Sequence, residues 1–437
     1  MTTYGDIASV RIETKTGAPS GVTVGRESYL ILIGVAGESA ENTNVPIQIT
    51  DRDDAVAKFG ESSDITVAYE QAIANGANTN FIKAIRAEKS SNNESGISTA
   101  SGSLSSGFYP DKSTVSVTND GSSMTVTFSY EQTLTAPSNS GEIVMNPVTG
   151  DYEFGSVTNG EIQYETVDWS SAIQATPDAL GEGEFAVVNP LTFRESAMTE
   201  LDATLTLMRQ DEYKMGLGVI ASAPNDTLEG EQPGYDTNTL SSARVNSDVL
   251  FSVAGAVTAS RGPEQEGYAT DGLGAVSGLF AGNENDDPVY DTSLAGVVDL
   301  AQTFTRADVR ALRDSYIIPV RDTGTIRVAD NRSTYDQEAE GGWERDLFRR
   351  RIVDLSTITA YRVADQQIGG VLDPDTVDDV EDSLRTELEA LADDGLLEEA
   401  GQNVNAYRID DRTIGVELEI TPFGVAKAAD ISLEIFA

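Results

Sequence analysis

The chain has 437 residues, with 29 basic side chains against 72 acidic ones, a formal net charge of −43, and neither Cys nor His. Its length predicts about two to four domains, and 39% apolar content speaks against wholesale disorder. The missing residue types exclude a Ser-His-Asp triad, a Cys nucleophile, a thiolate or imidazole zinc site and a disulfide framework.

The first twenty residues read as an extended arm, in which Val10, Ile12 and Thr14 alternate with Arg11, Glu13 and Lys15 before a Gly/Pro/Ser break at 17–21. Residues 28–34 are almost continuously apolar, which suits a strand covered on both faces. A short strand at 46–50 follows. Then come a helix from Asp51 to Phe59 ended by Gly60, a second from Asp64 to Asn75 stopped by Gly76, and a strand over 80–86. This alternation predicts an α/β core.

Composition then shifts. Residues 90–107 hold eight Ser, three Gly and two Asn and read as a flexible linker. From Thr114 to about Trp169, short alternating segments are separated by turn signals at 119–121, 139–141 and 149–151. Between Lys112 and Arg194 there is no basic residue, against eleven acids. The stretch 90–182 is therefore expected to be an acidic all-β domain inserted into the α/β chain.

The α/β rhythm resumes with a strand at 184–188, a helix whose inner face is Met198, Leu201, Leu205 and Met208, and a strand at 215–221. Residues 224–247 read as loop and 249–259 as an apolar segment. Strands at 316–320 and 325–328 flank Gly324 as a hairpin. Asp373-Pro374 starts a helix with an inner face of Val377, Val380, Leu384, Leu388 and Leu391, stopped by Gly395. Alternating strands at 413–419 and 431–435 finish the chain.

The basic residues are 7 Lys and 22 Arg. Carboxylates spread along a Lys-poor chain suit concentrated salt, where a short Debye length screens self-repulsion; an acidic protein of ordinary habitat is the alternative. Such a surface repels phosphate backbones, so no nucleic-acid partner is expected. Residues 1–16 lack the apolar segment of a signal peptide, and the run 29–36 falls short of the roughly 20 residues a bilayer requires. The expectation is a soluble chain made in the cytoplasm, without a membrane partner.

No motif announces a cofactor, and none is expected. The run 272–278, GLGAVSG, has the wrong spacing for a dinucleotide fingerprint and reads as a turn or close packing. The acid clusters at 51–54 and 283–287 do not match an EF-hand, and the acids at 373–379 suit a helix N-terminus. Sequons at Asn93, Asn225 and Asn331 lack a signal peptide to deliver them for glycosylation. Residues 306–351 hold 10 of the 22 Arg against nine acids. Within them, Arg349, Arg350 and Arg351 are either a solvated or internally paired face, or one half of an intersubunit pairing with Asp378, Asp379, Glu381 and Asp382 on the acidic helix.

The order of these segments resembles the contractile tail sheath proteins of myovirus-type tailed viruses and related injection systems. The resemblance is carried by 28–36, by Val45-Pro46-Ile47-Gln48-Ile49-Thr50 with Phe59-Gly60, and by Ala74-Asn75-Gly76 with 80–86. It continues through 253–261, through 317–320 with Gly324 and 326–334, and through 349–353 and 421–431. The β insert lies outside it. Val371-Leu372-Asp373-Pro374 replaces an aromatic stretch of the family, and Ala329 replaces a Trp.

The resemblance implies an α/β (α+β) sheath core at 21–89 and 183–330, an outer all-β insert at 90–182 and a C-terminal sheath domain at 331–412. It also implies exchanged terminal β-strand arms at 1–20 and 413–437, with Val10, Ile12, Thr14, Ile431, Leu433 and Ile435 added to a neighbour's sheet. Such a subunit is not an enzyme. It would stack with itself in hexameric rings around an inner tail tube protein, between baseplate and tail terminator proteins, and contraction would drive the tube through the host envelope. Its expected place is the virion tail, assembled in the cytoplasm of a halophilic archaeal host. The alternatives are the sheath of a non-viral injection system, or a halophilic α/β enzyme with a β accessory domain.

Overall fold

Leu30 to Ile33 are wholly apolar and need cover on both faces, and β1 (Ser28–Gly34) takes an interior position in a seven-stranded sheet. The computed structural model describes residues 28–36, 42–104, 114–211, 213–228, 232–240, 245–254, 272–282, 289–297, 299–300, 302–335, 346–365, 374–398, 403–408 and 414–422. They fall into two units, one built on Glu27–Gly282 with Ser293–Asp336 and the other including Gln337–Ala437. The expected arm strands at 10–14 and 431–435 and the acid run 283–287 lie outside the described residues.

In the first unit β1 is followed by β2 (Pro46–Gln48), α1 (Arg52–Phe59), α2 (Asp64–Ala74) and β3 (Ile82–Arg86). Asp51 caps α1 by accepting from the Asp54 N–H, and Gly60 ends it at φ 94°, a backbone angle that favours glycine. Ser63 caps α2 in the same way through the Thr66 N–H.

The insert then begins, and here the linker expectation is overturned. Residues 88–97 form β4 (Glu88–Ile97) and 101–103 form β5 (Ser101–Ser103). Serine and asparagine are tolerated because β4 is an edge strand whose ladder is completed by β11 (Gly160–Asp168), paired from Glu88↔Asp168 to Gly160↔Ile97. Between them lie β6 (Ser116–Asn119), β7 (Ser122–Ser123), β8 (Thr125–Phe128), β9 (Glu142–Met145) and β10 (Asp151–Phe154). They make two four-stranded sheets, β5-β10-β9-β8 and β4-β11-β6-β7, over a core of their own that includes Ile143, Met145, Phe154 and Ile162. The strands end at Asp168. Residues after it form α3 (Trp169–Gln174), which packs on the core helix α4 (Glu195–Asp211), so the expected boundary at 182 moves back.

Next come β12 (Phe185–Pro190), α4, β13 (Met215–Ala221), the β14 (Asp226–Leu228) and β15 (Gln232–Gly234) ribbon, β16 (Leu250–Val253), α5 (Leu273–Gly282), α6 (Arg306–Asp314) and β17 (Ile317–Ile318). The sheet order is β17-β16-β13-β12-β1-β3-β2, parallel throughout except β2. The run 272–278 proves to be close packing within a helix: a Cβ on Gly274, Gly278 or Gly282 would collide with the backbone of Ala68, Ala72 or Gly76. The predicted strand at 316–320 divides, since Ile317–Ile318 joins the large sheet. The hairpin is β18 (Val320–Asp322) with β19 (Ile326–Val328). Residues 331–334 also belong here, with the Thr334 N–H donating to the Leu250 carbonyl at 2.8 Å, so the expected boundary at 331 falls later.

The second unit holds α7 (Leu347–Asp365), α8 (Pro374–Asp393), β20 (Asn403–Arg408) and β21 (Ile414–Glu419).

Candidate assembly surfaces

Of the predicted stripe, Val380, Leu384, Leu388 and Leu391 are buried and seat α8 against α7 and β20, while Val377, in its first turn, is only half-buried. β20 and β21 form an antiparallel hairpin registered from Asn403↔Glu419 to Arg408↔Ile414. On its solvent face the Asn403 and Asn405 amides donate to Glu419 at 3.0 Å and Glu417 at 3.3 Å. Beneath lie Ile414, Val416 and Leu418, all buried. The Ala406 N–H points away from β21 and donates to Glu381 Oε2 at 3.3 Å, so α8 caps the outer edge of β20. The opposite edge of the hairpin, along β21, meets no other strand among the described residues.

The candidate charges divide by burial. Arg350 and Arg351 are each 5% exposed, and Arg349 is half-buried. Arg350 Nη2 donates to Asp354 Oδ1 at 3.0 Å, one turn along α7, and Asp354 is itself 1% exposed. Burial draws the Arg351 guanidinium down to about 10, with Asp354 opposing. Two of the three arginines thus face the interior. On α8, Asp378, Asp379 and Asp382 are exposed while Glu381 is half-buried. Glu381 and Asp382 gather around Arg385, at 2.8 and 3.7 Å.

At the carboxyl ends of β1 and β12, the region where doubly wound folds hold ligands, the chain packs against itself. The Leu191 side chain abuts Gly34, and the Leu191 N–H donates to the Ile33 carbonyl at 2.8 Å. Asn189 and Ser277, both fully buried, close the space between β12 and α5 with a 2.7 Å hydrogen bond. Beyond them the insert docks. Arg194 Nη1 donates to the Val148 carbonyl at 2.6 Å, and Thr227 Oγ1 accepts from the Tyr130 N–H at 2.6 Å. Asn146 shapes the receiving loop by accepting from the Val148 and Thr149 N–H groups. Burial pulls the Arg194 guanidinium down to about 10, with Tyr130 opposing. The cleft left between insert and core has a volume of about 70 Å³ and is lined by Tyr130, Asn146, Arg194, Ser222 and Asn225 among others. That is room for water and far below the several hundred Å³ typical of a cofactor pocket. The described residues contain no group of three or more acids placed to hold a metal, and no helix long and apolar enough to cross a membrane.

No protein-family model matches the sequence, and no curated protein matches it significantly. Solved structures do. The chain is similar to the sheath tail protein of Listeria innocua, at 10% identity over 94% of this chain and 96% of that one, with a TM-score of 0.55. It is similar to the helical sheath of the anti-feeding prophage in its contracted state, at 14% identity over 100% and 99%, with a TM-score of 0.54. It is similar too to the contracted PVC sheath of an extracellular contractile injection system, at 10% identity over 99% and 98%, with a TM-score of 0.56. At these identities the likeness is one of fold, and the described residues share it with contractile sheath proteins.

Proposed function

We propose that this chain is the structural subunit of a contractile sheath, polymerising as a helical tube around an inner tail tube and contracting to drive that tube through a target envelope. The observation that carries the reading is the end-to-end likeness to sheath proteins, covering 94–100% of this chain. The open β21 edge supports it, since one chain's alternating segments at 10–14 or 431–435 would complete a neighbour's hairpin. Contraction would be a rigid-body reorientation of subunits that stay knitted by those strands. The neighbours are sheath structural proteins, which supports a role in which interfaces, not a bound nucleotide, supply the work.

The sheath would stack in hexameric rings between baseplate and terminator proteins, assembled in the cytoplasm. The charge of −43 supports work in concentrated salt, as for a virus of a halophilic archaeon. A second reading, the sheath of an injection system, is favoured by the likeness to the anti-feeding prophage and PVC sheaths. Particles with DNA-filled heads in the producing cells would decide for the virus.

Negative-stain microscopy of the purified chain in high salt tests the function, with ordered tubes as the expected result. Deleting residues 1–16 should leave a folded subunit that forms no tubes; normal tubes would end the strand-exchange reading. Deleting 88–168, and not 169–182, should spare the tubes, since α3 belongs to the core.

A further inference from the structure

In a chain of charge −43 a copy of itself is the partner most strongly repelled, and self-contact is least opposed where the surface carries no charge. One such place stands out. The exposed positions of α4, after Glu195 at its first residue, are Ser196, Thr199, Ala203, Leu207 and Gln210. Spacings of three and four put them on a single stripe, about 21 Å long at 1.5 Å per residue. None of these five is charged, and Leu207, towards the C-terminal end of the stripe, is 56% exposed. Glu195 sits exposed at the N-terminal end of the stripe, while Glu200 and Asp202 are turned aside from it. Glu200 accepts from Ser170 Oγ and Gln174 Nε2, each at 2.8 Å, and Asp202 is partly buried against Ser247.

The other exposed large hydrophobic among the described residues is Val45, 47% exposed, immediately before the edge strand β2. In the sheet order β2 lies four strands from β13, the strand on which α4 packs, or about 19 Å at the usual strand spacing. The two spots are therefore separate surfaces. A surface that binds a different surface on the next copy repeats in one sense and builds an open helical array, whereas α4 against α4 would close as a two-fold dimer.

We propose that the C-terminal half of the outer stripe of α4, with Leu207 as its apolar anchor, docks on the Val45–Pro46 sheet edge of a second copy of this chain. The contact rests on the sheath reading and adds to it a lateral surface distinct from the terminal arms.

The absence of cysteine makes the test direct. In the full-length chain, Leu207→Asp should raise the critical concentration for tube formation about tenfold or more, read by pelleting and microscopy, and leave the melting temperature of the unassembled subunit unchanged. Tubes carrying both Leu207→Cys and Val45→Cys, treated with a short bis-maleimide, should give a ladder of linked multimers, and either single variant only monomers. Linked dimers from Leu207→Cys alone, unlinked tubes from the double variant, or normal assembly of Leu207→Asp would each overturn the proposal. A wild-type chain that forms no assembly at any salt concentration would remove the sheath reading and this contact together. Tubes that form regardless of Leu207 would remove only the contact.

Discussion

Helices α4 and α8 are close in length, at 17 and 20 residues, and each buries one apolar stripe. Their outer sides are opposites. α8 shows water Asp378, Asp379, Asp382, Glu389 and Asp393, with Arg385 as its one base, whereas α4 shows one acid, Glu195 at its first residue, and beyond it Ser, Thr, Ala, Leu and Gln. In a chain this acidic, carboxylates are the ordinary dress of a water-facing helix. Their absence along α4 after its first residue is the informative feature, and the proposed self-contact is built on it.

The largest effects should be shared by the two helices, because they arise on the inner sides. Leu205 and Leu388 are both fully buried, and replacing either by Ala should cost about 3 kcal/mol in denaturant unfolding. A loss under about 1 kcal/mol for Leu388→Ala alone would break the comparison, by showing that α8 is not packed as α4 is.

The outer sides should separate under salt. Changing Glu389 to Gln and Asp393 to Asn, both exposed towards the C-terminal end of α8, should stabilise the chain by about 1 kcal/mol at low ionic strength, through relief of like-charge repulsion and of an unfavourable helix-dipole contact. The gain should vanish near 1 M salt, where the Debye length is about 3 Å. Thr199→Asp on α4 should do the reverse, raising the salt needed for stability. Thermal melts across a salt series read both, and a salt-independent response would count against electrostatic design of either surface.

The inner sides were the legible part of the sequence. Met198, Leu201, Leu205 and Met208, and Val380, Leu384, Leu388 and Leu391, sit at the spacings a buried face imposes, and all are buried. α6 was missed although Thr305 and Asp308 spell a capping box, a signal that was available. α7 offered less. It is buried nearly all round, with Arg350, Arg351, Asp354, Ser356 and Thr359 inside it, so no polar side exists to set a period. β4 was hidden for a related reason: its Ser and Asn residues are held by the ladder to β11, a contact some 70 residues away that local composition does not encode. The arginines of 349–351 show the same limit, since burial and not sequence decides which of them are available to a neighbour.

A smaller effect tests how the acids of α4 are turned from its outer stripe. Burial raises the Asp202 carboxyl above its ordinary value, with Ser247 opposing and Asp248 adding to the rise. The folded chain therefore holds that proton more tightly than the unfolded one, so stability is gained as pH falls through the folded pKa towards the ordinary carboxylate range and is lost again as pH rises. At neutral pH the ionised carboxylate is a standing cost. Asp202→Asn should remove it, stabilising by about 0.5 kcal/mol after solvent screening and flattening the acid-side gain. Lower stability at pH 7 would mean that Asp202 works as a needed acceptor, and that α4 keeps its outer stripe bare for some other reason.

The smallest effect belongs to Arg385, and its size is what makes it useful. Its guanidinium lies 2.8 Å from Glu381 and 3.7 Å from Asp382, at one-turn spacings on an exposed face. Such pairs are worth about 0.3–0.5 kcal/mol in water. Here the arginine also offsets acids that repel one another, and Glu381 in addition holds the Ala406 N–H at the edge of β20. Arg385→Ala should therefore cost about 0.5 kcal/mol at low salt and nothing measurable at high salt. If the loss persists at high salt, the arginine is fixing Glu381 in place for the hairpin rather than screening charge. α8 would then be tied to the β20–β21 edge by a structural bond, and its acidity would no longer be mere solvation in contrast to α4.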